Sequence, residues 1–187
     1  MSERVIESSS TSGDQSEETF VIRSFRAEDR EQVAALHREG VAASLCCDCT
    51  MDIQNIEQTY FGRKHGHFWV AECDGKLIGT LALLLEEEEV AHLHCLRISN
   101  EWSDPHGVRR RLVQAAATHA RDHGSLKLVL HANLNETRAA AFLHRLGFEF
   151  SRHREVDGQP ALEFYLNLYQ RPELGEKGGD IKEGIPT

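Results

Sequence analysis

The sequence predicts an α/β protein with one mixed, mostly antiparallel sheet flanked by helices. Three observations carry that prediction. Strand-like alternation and helical spacing follow one another as β, α, α, three strands, α, β, α and two strands. Asp74 with Gly75, and Asp157 with Gly158, stand between strand-like runs and signal hairpins. Residues 90–121 read as strand, polar loop and helix. With the strand that follows, they form a crossover, which is right-handed and makes its two strands parallel.

The elements can be taken in order. Residues 1–19 are rich in Ser, Glu and Thr without periodicity, the composition of a disordered tail. Residues 20–26 form a first strand. Over 28–40, Val33 and Leu36, with Ala34 and Ala35, fall at helical spacing, and Gly40 ends that helix. Residues 41–50 carry no readable pattern. Their Cys46, Cys47 and Cys49 are crowded and have no evident fourth ligand, so no metal site is assigned. Residues 52–61 read as a second helix, with Ile53, Ile56 and Tyr60 on one side.

Residues 67–73 form a strand. The return strand, 76–85, is apolar enough after Lys76 to be buried on both faces. Four glutamates, 86–89, make a charged hairpin tip. After the helix that starts at Val108, Gly124 closes it, and 126–132 is another strand. Asn133 or Asn135 caps the next helix, 136–146, which aligns Ala139, Phe142, Leu143 and Leu146. Residues 148–154 and 161–168 form a last hairpin, and 170–187 a loose tail. The result is one domain, 20–169, between two tails.

Composition excludes several classes. No apolar run reaches the roughly 18 residues of a membrane span. The start has no basic head or apolar h-region of a secretory signal. Five cysteines, an odd number, suit reduced thiols in a cytoplasm. The formal charge of −9 offers no basic face for nucleic acid. Oligomeric state is unreadable, and a homodimer stays open.

Two features could carry chemistry. His92 and His94 are two apart on a strand, so both leave one face. With a reference pKa near 6.5, either can accept a proton at neutral pH. Packed histidines satisfied by hydrogen bonds would give the same pattern. Second, Arg109, Arg110 and Arg111 occupy the first turn of a helix, where cations oppose the helix dipole. An anion at that helix start would explain them, as would a solvated basic turn. Gly107 permits close approach of backbone to phosphate, and the N–H groups of Val108, Arg109, Arg110 and Arg111 turn outward there. The loop lacks the Gly-Lys-Ser/Thr ending of a Walker motif and the glycines of a dinucleotide fingerprint.

The strand, the polar loop, Gly107 with Val108, and the run Arg110, Arg111, Leu112, Val113 resemble the acyl-CoA-binding motif of the GNAT superfamily of N-acetyltransferases. The helix ending in His144, Arg145, Leu146, Gly147 and Phe148 is similar to that superfamily's second conserved helix. The resemblance covers 20–168. It implies a GNAT-like fold in which the one parallel strand pair splays. It also implies acetyl-CoA as cosubstrate, with Leu96, Arg97 and Ile98 along the pantetheine arm. The diphosphate would lie at His106, Gly107, Val108, Arg109, Arg110 and Arg111, and Asn135 and Phe142 belong to the same implied set.

Some positions depart from the family. Asp104 stands where it has Gln or Arg, and Arg109 where it has Gly or Ala. Leu143 stands where many members carry a tyrosine acid. His92 stands where a glutamate base is frequent. Ala91, His92, Leu93 and His94 are similar to the Ala-His-Leu-His of arylalkylamine N-acetyltransferases, whose histidines pass a proton from the amine through water. The resemblance thus implies acetyl transfer to a primary amine of a small molecule or peptide. His92 and His94 would be proton acceptors, and a backbone N–H near Leu96 would polarise the thioester. Cys95 is expected on the opposite face from the histidines, as packing. The alternative is a non-catalytic GNAT-like module that binds acyl-CoA or a partner.

Overall fold

Alternation of period two lays seven strands into one sheet, and helical spacing sets helices on both of its faces. The computed structural model describes residues 20–39, 50–87, 89–102, 107–133, 137–156 and 158–169. The strands are β1 (Val21–Ser24), β2 (His67–Cys73), β3 (Lys76–Glu87), β4 (Val90–Ile98), β5 (Lys127–Asn133), β6 (Glu149–Val156) and β7 (Gln159–Asn167). The helices are α1 (Arg30–Arg38), α2 (Thr50–Gln54), α3 (Val108–Asp122) and α4 (Thr137–Arg145). The sheet order is β1-β2-β3-β4-β5-β7-β6. Among the described residues, β4 and β5 are parallel and the other neighbours antiparallel. The expected mixed α/β sheet is therefore present.

Boundaries differ where side chains redirect the chain. The first strand stops at Ser24, short of residue 26. Asp29 accepts from the Arg26 N–H at 2.8 Å and from both Nη atoms of Arg23 at 2.7 and 2.8 Å. That pulls residues 27–29 into a 3-10 turn ahead of α1. The second helix is not continuous: α2 ends at Gln54, and Glu57–Phe61 winds more widely, with Gly62 N–H donating to the Glu57 carbonyl at 2.7 Å. The glutamate run begins inside β3, whose Glu87 pairs with Val90.

Two apolar cores hold the sheet. On one face α3 contributes Leu112, Val113, Ala116, Ala117 and Ala120, packed with Leu81, Leu83, Leu93, Leu128 and Leu130. Gly79 makes this approach feasible, since a Cβ there would lie 2.6 Å from Ile98 Cδ1 and 3.3 Å from Leu112 Cδ1. On the other face, Val33 of α1, Ile53 of α2 and Tyr60 pack with Phe68, Val70, Ala82 and Leu84. That second core lies over β2, β3 and β4. Farther along the same face, β5, β7 and β6 line a polar cavity.

Candidate active site

The site begins where the parallel ladder ends. Pairing runs from Val90 with Lys127 to Leu93 with Leu130 and then stops, although both strands continue. A bulge in β4 accompanies the parting. Thr80 pairs with Arg97 and Ala82 with His94, so Leu81 faces both Cys95 and Leu96. Cys95 takes φ 53°, in the left-handed region, which costs a non-glycine residue about 1–3 kcal/mol. Its neighbours hold it there. Thr80 Oγ1 donates to the Cys95 carbonyl at 2.8 Å, and Tyr60 OH lies 3.3 Å from Cys95 Sγ and donates to Asp52 at 3.0 Å.

The bulge corrects one expectation. Cys95 does not face away from His94. Cys95 joins the core with Tyr60 and Phe68, and the His94 ring lies 6.4 Å from the Tyr60 ring. The extra residue cancels the alternation a regular strand would keep. Beyond it, Leu96 and Ile98 face the α3 core, while Arg97 is buried beside His37. Burial, then the Arg97 charge, pushes His37 down to about 3.

His92 has different surroundings from His94. It lines a cavity of about 500 Å³ with Lys127, Ser151, Arg152, Arg154, Glu163 and Tyr165, among others. Its ring lies 6.0 Å from that of His131 on β5. His131 Nε2 is 3.3 Å from Glu163, which also accepts from Arg152 Nε at 3.0 Å and Arg154 Nε at 2.9 Å. Burial would raise the Glu163 carboxyl, but the hydrogen bonds from Arg154, His131, Arg152 and Ser151 prevail and lower it to about 2.

The start of α3 lies on the other face of the sheet, with Val108 in the core it shares with Leu96 and Ile98. Gly107 is its N-cap at φ 70°, ψ 39°, a conformation that favours glycine. Among the described residues, a Cβ there would meet only Arg110 Cβ, at 3.7 Å. Arg111 N–H donates to the Gly107 carbonyl at 3.0 Å, within the helix. Arg109 lies over the Phe142 ring at 5.6 Å and Arg111 over the Phe20 ring at 4.5 Å, while Arg110 is exposed. Two of the three cations thus have aromatic partners, and the case for an anion rests on the glycine cap and the dipole. Val108 is buried against the sheet. Leu143 is fully buried on α4. His106, Asn135, Asp104, Cys46, Cys47 and Cys49 lie outside the described residues.

Both the sequence and the fold match known proteins. The profile of the acetyltransferase (GNAT) family matches residues 24–148. The chain belongs to the GNAT acetyltransferase family. Human N-acetyltransferase 8B is 30% identical over 104 residues, covering 52% of this chain and 45% of that protein. The chain thus matches slightly under half the length of this curated relative. An acetyltransferase from Streptococcus agalactiae superimposes with a TM-score of 0.68 at 22% identity, covering 79% of this chain and 98% of the other. A putative acetyltransferase from Salmonella typhimurium, solved with its cofactor acetyl-CoA, gives a TM-score of 0.65 at 17% identity over 80% and 94% of the two chains. These two likenesses establish the GNAT fold. Acetyl-CoA is the acetyl donor of the family.

His131, Glu163, Arg152, Arg154 and Lys127 escaped the sequence reading. A faint signal exists, since His131 and Glu163 sit at the polar phase of apolar strands, and Arg152 and Arg154 are two apart. Glu163 meets Arg152 and Arg154 through the expected last hairpin, whereas His131 and Lys127 join them through the β5–β7 pairing, which the sequence does not spell out.

Proposed function

We propose that this GNAT protein transfers an acetyl group from acetyl-CoA to a primary amine. The observation that carries the reading is His92 lining a polar cavity on the strand whose parallel pairing ends one residue later. When bound, acetyl-CoA supplies an activated thioester: the amine nitrogen bonds to its carbonyl carbon, the carbon–sulfur bond breaks, and the thiolate takes up a proton. Leu96, Ile98 and Arg97 would offer backbone groups to the pantetheine arm. Gly107, Val108, Arg109 and Arg110 would cradle the diphosphate, with Phe142 backing Arg109. The splay, the absent Cβ at Gly107 and the apolar side chains of Leu96 and Ile98 support that fit.

His92 acts as proton acceptor for the attacking amine, with His131 close enough to share a bridging water. His94 acts more indirectly, through its packing beside Tyr60. A cytoplasmic setting belongs to the same proposal, supported by the odd number of cysteines, five.

Two measurements test the reading. Acetyl-CoA is expected to raise the melting temperature of the protein. Thiol release with an amine panel is expected to fall about 100-fold or more in kcat when His92→Ala is introduced, with loss of the acidic limb of the pH profile. No thermal shift with acetyl-CoA would overturn the donor assignment. An unchanged pH profile in His92→Ala would overturn the base.

A further inference from the structure

We propose that the cavity beside His92 selects an acceptor amine that also carries an anionic group, which Arg152 and Arg154 hold. The inference rests on the acetyl-transfer reading above and names its substrate class.

Charge is the first argument. The cavity wall presents Lys127, Arg152 and Arg154 against one carboxylate, Glu163. A further acid, Glu149, accepts from the lining Tyr165 OH at 2.5 Å. Among the lining residues cations outnumber acids three to one, in a chain whose formal charge is −9. An acceptor with several ammonium groups would meet like charge here, and an anion would not.

The second argument is the commitment of Glu163. It is buried, and it already accepts from Arg152, Arg154 and His131. It is therefore a support for the arginines and a poor partner for a substrate ammonium. Both arginines reach it through Nε, the only guanidinium atom they use in hydrogen bonds among the described residues. Their Nη ends form the fork that matches a carboxylate or another planar anion. Their side chains are 59% and 48% exposed, so a solute can reach them.

The third argument is placement. His92 on β4 and the arginines on β6 stand three strand spacings apart across β5 and β7, roughly 14 Å between strand axes. All three side chains enter one cavity, so the amine and the anion must sit on one small molecule of limited length or on one chain terminus. Arg152 and Arg154 are thus specificity residues, and Glu163 positions them.

The test uses the full chain, acetyl-CoA and matched acceptors: glycine, β-alanine, γ-aminobutyrate and δ-aminovalerate, each against its primary amide. At least one acid is expected to exceed its amide by about tenfold or more in kcat/KM, the size of one charge-assisted pair. Arg154→Gln and Arg152→Gln should erode that preference through KM, and Arg154→Lys should keep part of it. Should these variants misfold, valerate, which has the anion but no amine, is expected to compete with the acceptor on the native protein. Amides turned over as well as acids, or no competition by valerate, would overturn the anion selection and leave acetyl transfer standing. No turnover of any pair, with acetyl-CoA still raising the melting temperature, would overturn the transfer reading and this inference together.

Discussion

Two clusters of titratable side chains sit one strand in from opposite edges of the sheet, and they hold their charge in opposite ways. At β7, Glu163 is surrounded by Arg152, Arg154 and His131. At β2, His67 lies among other imidazoles: 5.0 Å from His119, which is 4.2 Å from His123, which is 4.2 Å from His65. The first cluster has an acid at its centre, so its neighbours favour the charged form and Glu163 is lowered to about 2. The second has no carboxylate bonded to its imidazoles among the described residues. Burial, then the charges of His119 and His123, push His67 down to about 4. No group of three His, Cys, Asp or Glu side chains among the described residues is arranged to hold a metal ion. The comparison teaches that burial disfavours the charged form in both clusters, and that only the cluster with several hydrogen-bonding charge partners overcomes it.

The largest effect that would break this contrast is removal of the acid. Glu163→Gln should destabilise the protein by about 1–2 kcal/mol at pH 7, discounted because both arginine partners are half exposed to solvent. The sign with pH follows from the lowered carboxyl. Its contribution is present above the ordinary value of 4.5 and is lost as pH falls through about 2. Urea midpoints at pH 7 and pH 3 should therefore differ less in Glu163→Gln than in the wild type. An equal difference would show that Glu163 is not the ionised centre of its cluster.

A smaller effect belongs to the histidines. The unfolded chain protonates His67 near 6.5 and the folded chain only near 4, so stability is whole above 6.5 and falls as pH drops toward 4. Between pH 7 and pH 5 the loss should be about 1 kcal/mol, after allowing for the half-exposed ring. His67→Gln, which can keep a hydrogen bond to Ser24 Oγ in place of the 2.8 Å contact of His67, should flatten that slope. The same slope in the variant would assign the acid sensitivity elsewhere, with half-buried His37 the next candidate.

Both clusters were hard to see in the sequence, for a shared physical reason. Periodicity reports which face of a strand is buried, and so the strands and the helix after Gly107 were legible. Asp74 and Gly75 were legible as a turn because both take positive φ, 49° and 77°, which that pair tolerates. Periodicity does not report which strands become neighbours. Glu163 meets Arg152 through the expected last hairpin, but it meets His131 only because β7 also pairs with β5. His67 meets His119 only because the end of α3 lands beside β2. The bulge at Cys95 was invisible for a different reason. Nothing in its residue type favours φ 53°, and the hydrogen bond from Thr80 and the contact with Tyr60 that hold it come from elsewhere in the chain.

The smallest effect would turn one cluster toward the other. His123 ends α3, its ring lies 4.2 Å from both His65 and His119, and its charge helps depress both His67 and His119. His123→Glu would replace that opposing charge with a favouring one. The bond from His123 Nδ1 to the His119 carbonyl, 2.7 Å, is lost, and an acid at a helix C-terminus costs a few tenths of a kcal/mol. The new carboxylate stays ionised between pH 5 and 7, so its cost at the helix C-terminus does not vary there. The pH-dependent part is therefore separable: the stability lost from pH 7 to pH 5 should shrink by about 0.5 kcal/mol, the size of one exposed ion pair. Proton NMR titration should show His67 and His119 both shifted upward. Unmoved titrations would mean that burial alone, and not the neighbouring charge, sets these histidines. The contrast with Glu163 would then be one of depth rather than of partners.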